Sequence, residues 1–165
     1  WMWQHHGVKP DVVAFGKKTQ ICGLYANTRV DDVADNVFHL PSRINSTWGG
    51  SLTDMVRSQR IIEIIVEDKL ADSVLANGAR FVAGLRGIAR TCSAISNVRG
   101  VGSLAAYTLP DTATRGQWLD AMLQRGFLAL PSGERSIRFR MPLNVTAAEV
   151  DRALEIIAAC AKSAA

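Results

Sequence analysis

Paired cysteines are missing from this 165-residue chain. Cys22, Cys92 and Cys160 stand far apart and none forms a C-x-x-C pair, which argues against a disulfide scaffold and a structural zinc site and makes a reduced, cytoplasmic setting the expectation. Long apolar runs are also missing: no stretch reaches the roughly 18 residues a membrane-spanning helix needs. Charge of one sign never accumulates. The 19 Lys+Arg and 15 Asp+Glu are interleaved, so the net charge of +4 reads as a solvated mixed surface rather than a nucleic-acid interface. Histidine is scarce, and His5 and His6 are neighbours whose side chains diverge on any regular element, a poor chelate, so no metal is expected. The start, Trp1-Met2-Trp3-Gln4, has neither the charged region nor the cleavage site of a signal peptide. It runs within a few residues into a strand pattern, and the expectation is a carboxyl-terminal fragment of a longer chain.

What is present is an ordinary globular composition, 48% hydrophobic and 21% charged, with alternating strand and helix signals. Val12–Phe15 reads as a buried strand and residues 21–25 as another, with a weak strand at Val37-Phe38 inside a long polar segment, 26–50. Such a long polar stretch tends to be functional. Ser51-Leu52-Thr53-Asp54 has the form of a capping box, and apolar residues recur at helical spacing from there to Arg90, with a break at Glu67-Asp68-Lys69. Leu52, Met55, Val56, Ile62, Ile65 and Val66 are expected on the inward face. Beyond lie a strand over 102–109, a helix over 114–125 with Trp118, Leu119 and Met122 inward, and short strands at 127–130 and 136–140. A second capping box, Thr146 to Glu149, opens a last helix. Val98-Arg99-Gly100-Val101-Gly102 reads as a turn entering a strand. The expected class is α/β, divided into 1–50, a linking helical region 51–90, and a small α/β domain 91–165.

Three places carry potential chemistry. Lys17 follows a strand and Gly16; an amine held there can be desolvated and become a nucleophile, although a lysine pair in solvent is the commoner outcome. The stretch from Asn45 to Ser51 gathers hydroxyls, glycines and a helix start, a combination suited to a phosphate and equally suited to a plain cap. Ser136-Ile137-Arg138-Phe139-Arg140 alternates with period two, placing Ile137, Phe139 and Met141 inward and both arginines on the other face. A guanidinium grips a carboxylate bidentately, each charge-assisted bond contributing about 1.5–3 kcal/mol.

In order, Pro10–Gln20, Pro41–Gly50 and Ile137–Leu143 resemble the class III pyridoxal-phosphate-dependent aminotransferases, and the likeness runs through essentially the whole chain. Lys18-Thr19-Gln20, where most relatives carry a glycine-rich run, is similar to the members that act on the ε-amino group of lysine. The resemblance implies the carboxyl-terminal part of a fold type I transferase. It implies pyridoxal 5'-phosphate as cofactor, L-lysine and 2-oxoglutarate as substrates, and a homodimer with a shared active site. By match to the family motif, Lys17 would hold the cofactor covalently. Thr47 would contact its phosphate, reaching across from the neighbouring subunit, and Arg138 would bind the α-carboxylate of 2-oxoglutarate. Ser46 and Asn45 fall near the cofactor and substrate by adjacency. Met141 departs from the family's usual proline. Ornithine, 4-aminobutyrate or a diamine remain alternative donors, and a non-catalytic interaction fragment is the reading from another class.

Overall fold

A computed structural model describes the chain apart from residues 45, 46, 48, 49, 164 and 165. It divides into two compact units, Trp1–Ile64 and Ile65–Ala165.

The first unit opens with a single turn of helix, α1 (Met2–His5), and a two-stranded antiparallel sheet of β1 (Val12–Phe15) and β2 (Gly23–Ala26). The pairing runs from Val12 opposite Ala26 to Phe15 opposite Gly23, where the Phe15 ring leaves no room for a Cβ. β2 starts later than the expected residue 21 because the Thr19 hydroxyl donates to the Ile21 carbonyl at 2.7 Å and keeps Ile21 in the preceding turn. β1 is not the buried strand the sequence suggested: Val12 is 51% exposed, since β2 is its one partner strand. No strand forms at Val37-Phe38. The buried Asn36 side chain donates to the Val30 and Val33 carbonyls at 3.1 and 2.9 Å and accepts from the Phe38 amide at 2.9 Å, coiling the segment into turns.

The helical region forms as two helices, α2 (Leu52–Glu67) and α3 (Leu70–Ala89), broken where Lys69 takes a left-handed φ of 50°. Ser51 caps α2 through the Asp54 amide at 3.4 Å, but Asp54 turns to Arg57 instead of reaching back, so half the expected box is made. The inward face expected on α2 is open: Leu52, Val56 and Val66 are 77%, 69% and 70% exposed. The fully buried residue of α2 is Ser58.

The second unit is a four-stranded antiparallel sheet, in the order β3-β4-β6-β5, with α3, α4 and α5 packed on it. Its strands are β3 (Ser96–Val101), β4 (Leu104–Thr108), β5 (Leu130–Ser132) and β6 (Ser136–Arg140); the remaining helices are α4 (Thr112–Gln124) and α5 (Ala147–Ser163). Residues 98–101 therefore belong to a strand, with the turn at Gly102, where φ is 55°. One face of the sheet is the core: Ala105, Tyr107, Ile137 and Phe139 meet Phe81 and Leu85 of α3, Trp118 and Met122 of α4, and Ile157 of α5. Phe139 sits at the centre of an aromatic cluster with Phe81, Tyr107 and Phe127 at centroid separations of 5.1–5.8 Å. Gly78 of α3 lies against the Gly102 carbonyl so closely that a Cβ has no place. The capping box at α5 is complete: Thr146 accepts from the Glu149 amide at 3.2 Å, and Glu149 accepts from the Thr146 amide at 2.8 Å.

Candidate active site

Lys17 stands immediately after β1, at the head of a short 3-10 turn (Lys17–Thr19). Its φ is 58°, a conformation that few non-glycine residues adopt and that redirects the chain sharply at the strand end. Before it, Gly16 is fully extended, and a Cβ there would meet Cys22 Sγ at 3.0 Å. The amine makes no hydrogen bond or ion pair among the described residues, and the side chain is exposed. The described residues thus present the amine without desolvating it, so the dry environment expected for a nucleophilic lysine is not supplied by them. Lys18 is exposed in the same turn.

Thr47 is an exposed turn residue that precedes α2. Asn45 and Ser46, the other two expectations in this stretch, lie outside the described residues. Arg138 sits in the middle of β6, opposite Ala106 of β4 and Leu130 of β5. Period-two alternation holds as expected: Ile137 and Phe139 are buried at 0% and 4% exposure, Met141 is half-buried, and Arg138 and Arg140 are on the outer face. Neither arginine has a partner among the described residues. Arg80 and Asp151 show the alternative, a bidentate pair with both bonds at 2.7 Å. Arg138 therefore keeps its full set of donors for an incoming acid.

Arg99 is the residue that the sequence pattern did not single out. The register places it opposite Ala106, in the same cross-sheet row as Arg138. The visible signal was its position between a β-branched residue, Val98, and Gly100, a stretch that reads equally well as a turn. A cavity of about 570 Å³ in this unit is lined mainly by apolar side chains, among them Phe81, Phe127, Phe139 and Ile156, together with Arg140, Glu149 and Arg152, and does not include Arg138. Among the described residues no cluster of His, Cys, Asp and Glu could hold a metal, and no helix is long and apolar enough to cross a membrane.

The family model for class III aminotransferases matches residues 1–161, and the chain belongs to that family. Its mixed α/β fold with antiparallel sheets is that of the fold type I transferases that work with pyridoxal 5'-phosphate.

Among curated proteins, the chain is 47% identical over 158 residues to an L-lysine-epsilon aminotransferase of Mycobacterium tuberculosis, covering 95% of this chain and 35% of the relative. A Streptomyces clavuligerus L-lysine-epsilon aminotransferase is 46% identical over 160 residues, with 96% and 35% covered. An Emericella nidulans ornithine aminotransferase is 33% identical over 158 residues, with 93% and 34% covered. A solved structure of lysine aminotransferase from M. tuberculosis in the internal aldimine form superposes with a TM-score of 0.94 at 44% identity, covering all of this chain and 38% of that one. The chain spans about 35% of the length of the lysine enzymes it matches.

Proposed function

We propose that this chain is part of an enzyme that transfers the ε-amino group of L-lysine to 2-oxoglutarate, giving 2-aminoadipate 6-semialdehyde and glutamate. The observation that carries this reading is the gap in similarity: 47% identity to the lysine enzyme against 33% to the ornithine enzyme over nearly the same residues. The chemistry of the donor set fits pyridoxal 5'-phosphate, because Lys17 offers a primary amine without a partner among the described residues and Thr47 an exposed hydroxyl. When bound, that group supplies an electron sink for breaking a C–H bond beside the transferred nitrogen.

The chain's own residues then have distinct tasks. Lys17 anchors the cofactor and, once displaced from it, takes and returns the proton at the substrate carbon through Nζ. Thr47 donates its hydroxyl to the phosphate, from the neighbouring subunit of a homodimer, with Ser46 beside it. Arg138 grips the α-carboxylate of 2-oxoglutarate and fixes its reacting carbon, with Asn45 near the substrate. We assign residues 1–50 to a cofactor-binding domain, 51–90 to a linking helical region and 91–165 to a small domain. A cytoplasmic enzyme is consistent with three free cysteines.

Amine-donor profiling of the full-length polypeptide tests the reading. Lysine is expected to be the best donor by kcat/KM; a preference for ornithine, 4-aminobutyrate or a diamine would overturn the substrate assignment and leave the class intact. Full-length protein that binds no cofactor would instead favour a non-catalytic role.

A further inference from the structure

We infer that Arg99 is a positioning residue for the carboxylate-binding face, an inference that rests on the proposed role of Arg138. Antiparallel partners share a face, so the outer side of the sheet carries a row of Arg99, Ala106, Arg138 and Leu130. The neighbouring row holds Thr108, Ser136 and Ser132. A single methyl group, that of Ala106, separates the two arginine positions.

Arg99 is tethered in this face. Its Nη1 donates to the Asn97 carbonyl at 2.9 Å and to Thr108 Oγ1 at 3.4 Å, and its Nη2 to Ser136 Oγ at 3.5 Å. The two hydroxyls are themselves 3.0 Å apart. The backbone is shaped for this tether. The β3–β4 register shifts between Ser96 and Arg99, and Asn97 takes a left-handed φ of 48°. On the opposite face Gly100 is pressed down, where a Cβ would meet the Leu104 carbonyl at 2.6 Å and Val82 Cγ2 at 2.8 Å. No carboxylate pairs with Arg99 among the described residues.

Two consequences follow for Arg138. Ser136 is its neighbour on the same face of β6 and Thr108 lies on the diagonal, so these hydroxyls are acceptors within its reach. Arg99 donates to both, which reduces their capacity to accept from Arg138 and favours leaving its donors for substrate. Arg99 also fixes a second positive charge across Ala106, which repels the Arg138 guanidinium from folding back toward β3 and adds to the attraction for an acid.

The test is a single-turnover reaction of the aminated full-length enzyme with 2-oxoglutarate. Arg99→Gln is expected to raise the apparent KM for 2-oxoglutarate about tenfold while the maximal rate changes by less than about twofold. Arg99→Lys, which keeps the charge and cannot span both hydroxyls, should recover part of that loss. The Thr108→Val, Ser136→Ala double variant should raise the KM with Arg99 in place, and it carries the test where Arg99→Gln does not fold. An unchanged KM in Arg99→Gln, or an equal fall in the lysine and 2-oxoglutarate half-reactions, overturns the inference. Arg138→Gln separates the two readings. If it leaves 2-oxoglutarate binding intact, the Arg138 assignment fails; if it weakens binding while Arg99→Gln does not, only the positioning role fails.

Discussion

The two units of the chain are opposites in how they are built. In Ile65–Ala165 the sheet and three helices enclose a core of Phe81, Leu85, Tyr107, Met122, Ile137 and Ile157, each 1% exposed or less. In Trp1–Ile64 the fully buried side chains among the described residues are Asn36 and Ser58, both polar, while Val12, Leu52 and Val56 are more than half exposed. Yet the second-named unit carries Lys17 and Thr47, on which the proposed covalent chemistry depends. Burial and the proposed chemistry are thus separated: one region presents Arg138 on a strand backed by a packed core, and the other carries Lys17 and Thr47 on exposed turns, that of Lys17 closed by the Gln20 amide donating to the Lys17 carbonyl at 3.0 Å.

The sharpest way to break this comparison is to exchange the amine. Lys17→Arg in the full-length polypeptide should lower lysine transamination by about 10³-fold or more, since a guanidinium neither bonds to an aldehyde nor shuttles a proton near neutral pH. Its thermal midpoint without cofactor should stay close to that of the wild type, because the exposed Lys17 side chain makes no hydrogen bond or ion pair among the described residues. A variant that retained turnover would place the chemistry elsewhere.

Core substitutions should show the reverse pattern. Phe81→Ala removes a ring that packs edge-on to Phe139 at 5.1 Å and is expected to cost about 3–5 kcal/mol in denaturant unfolding. Val12→Ala in β1 should cost less than about 0.5 kcal/mol. Limited proteolysis of the 165-residue chain sharpens the contrast: early cleavage is expected before residue 65 and protection through α3 to α5. Equal costs at the two valine and phenylalanine positions would erase the distinction.

How much of this was legible in the sequence varied with the same division. Where apolar periodicity and burial agree, as at Trp118 and Met122 of α4, element type and inward residues could be read directly, and the Thr146–Glu149 box formed as its spacing implied. The alternation around Arg138 was equally plain because Ile137 and Phe139 fill the core. In the first unit the pattern misled. Leu52, Met55, Val56 and Ile62 of α2 follow helical spacing but remain exposed, and Val37-Phe38 has strand residues that the Asn36 side chain captures into a turn. Arg99 escaped notice for a different reason. Its importance lies in which residues stand beside it across the sheet, and the β4–β6 register, which sets Ala106 opposite Arg138, is not written in local pattern. The proposed role of Lys17 rests on resemblance, since a lysine after a strand is too common to stand out alone.

A smaller effect bears on the scaffold alone. Thr146→Ala removes the hydroxyl that accepts from the Glu149 amide and should cost about 1 kcal/mol, read as a lowered unfolding midpoint. The same truncation in the first unit, Ser51→Ala at the 3.4 Å cap of α2, should move the midpoint less because that box is half made.

The weakest predicted effect concerns acid. In the second unit the Thr114 amide holds the Asp111 carboxyl below its ordinary 3.8, the Thr146 amide holds Glu149 below its ordinary 4.5, and the Arg80 side chain holds Asp151 below 3.8. In the first, Gln59 and then Arg60 lower Glu63. A carboxyl whose folded pKa is depressed contributes stability that is fully present above its unfolded pKa and disappears as pH falls through the folded value. The unfolding midpoint should therefore be flat above about pH 5 and decline below about pH 4.5. Because three of the four groups cap or brace elements of the scaffold, Asp151→Asn should flatten part of that decline, whereas Glu63→Gln should leave the midpoint-against-pH curve of the core transition unchanged. All four are at least partly open to solvent, so salt is expected to shrink the slope, most of all for the Arg80–Asp151 pair. A decline that Glu63→Gln abolished would mean that α2, not the sheet and its helices, governs the cooperative unfolding of this chain.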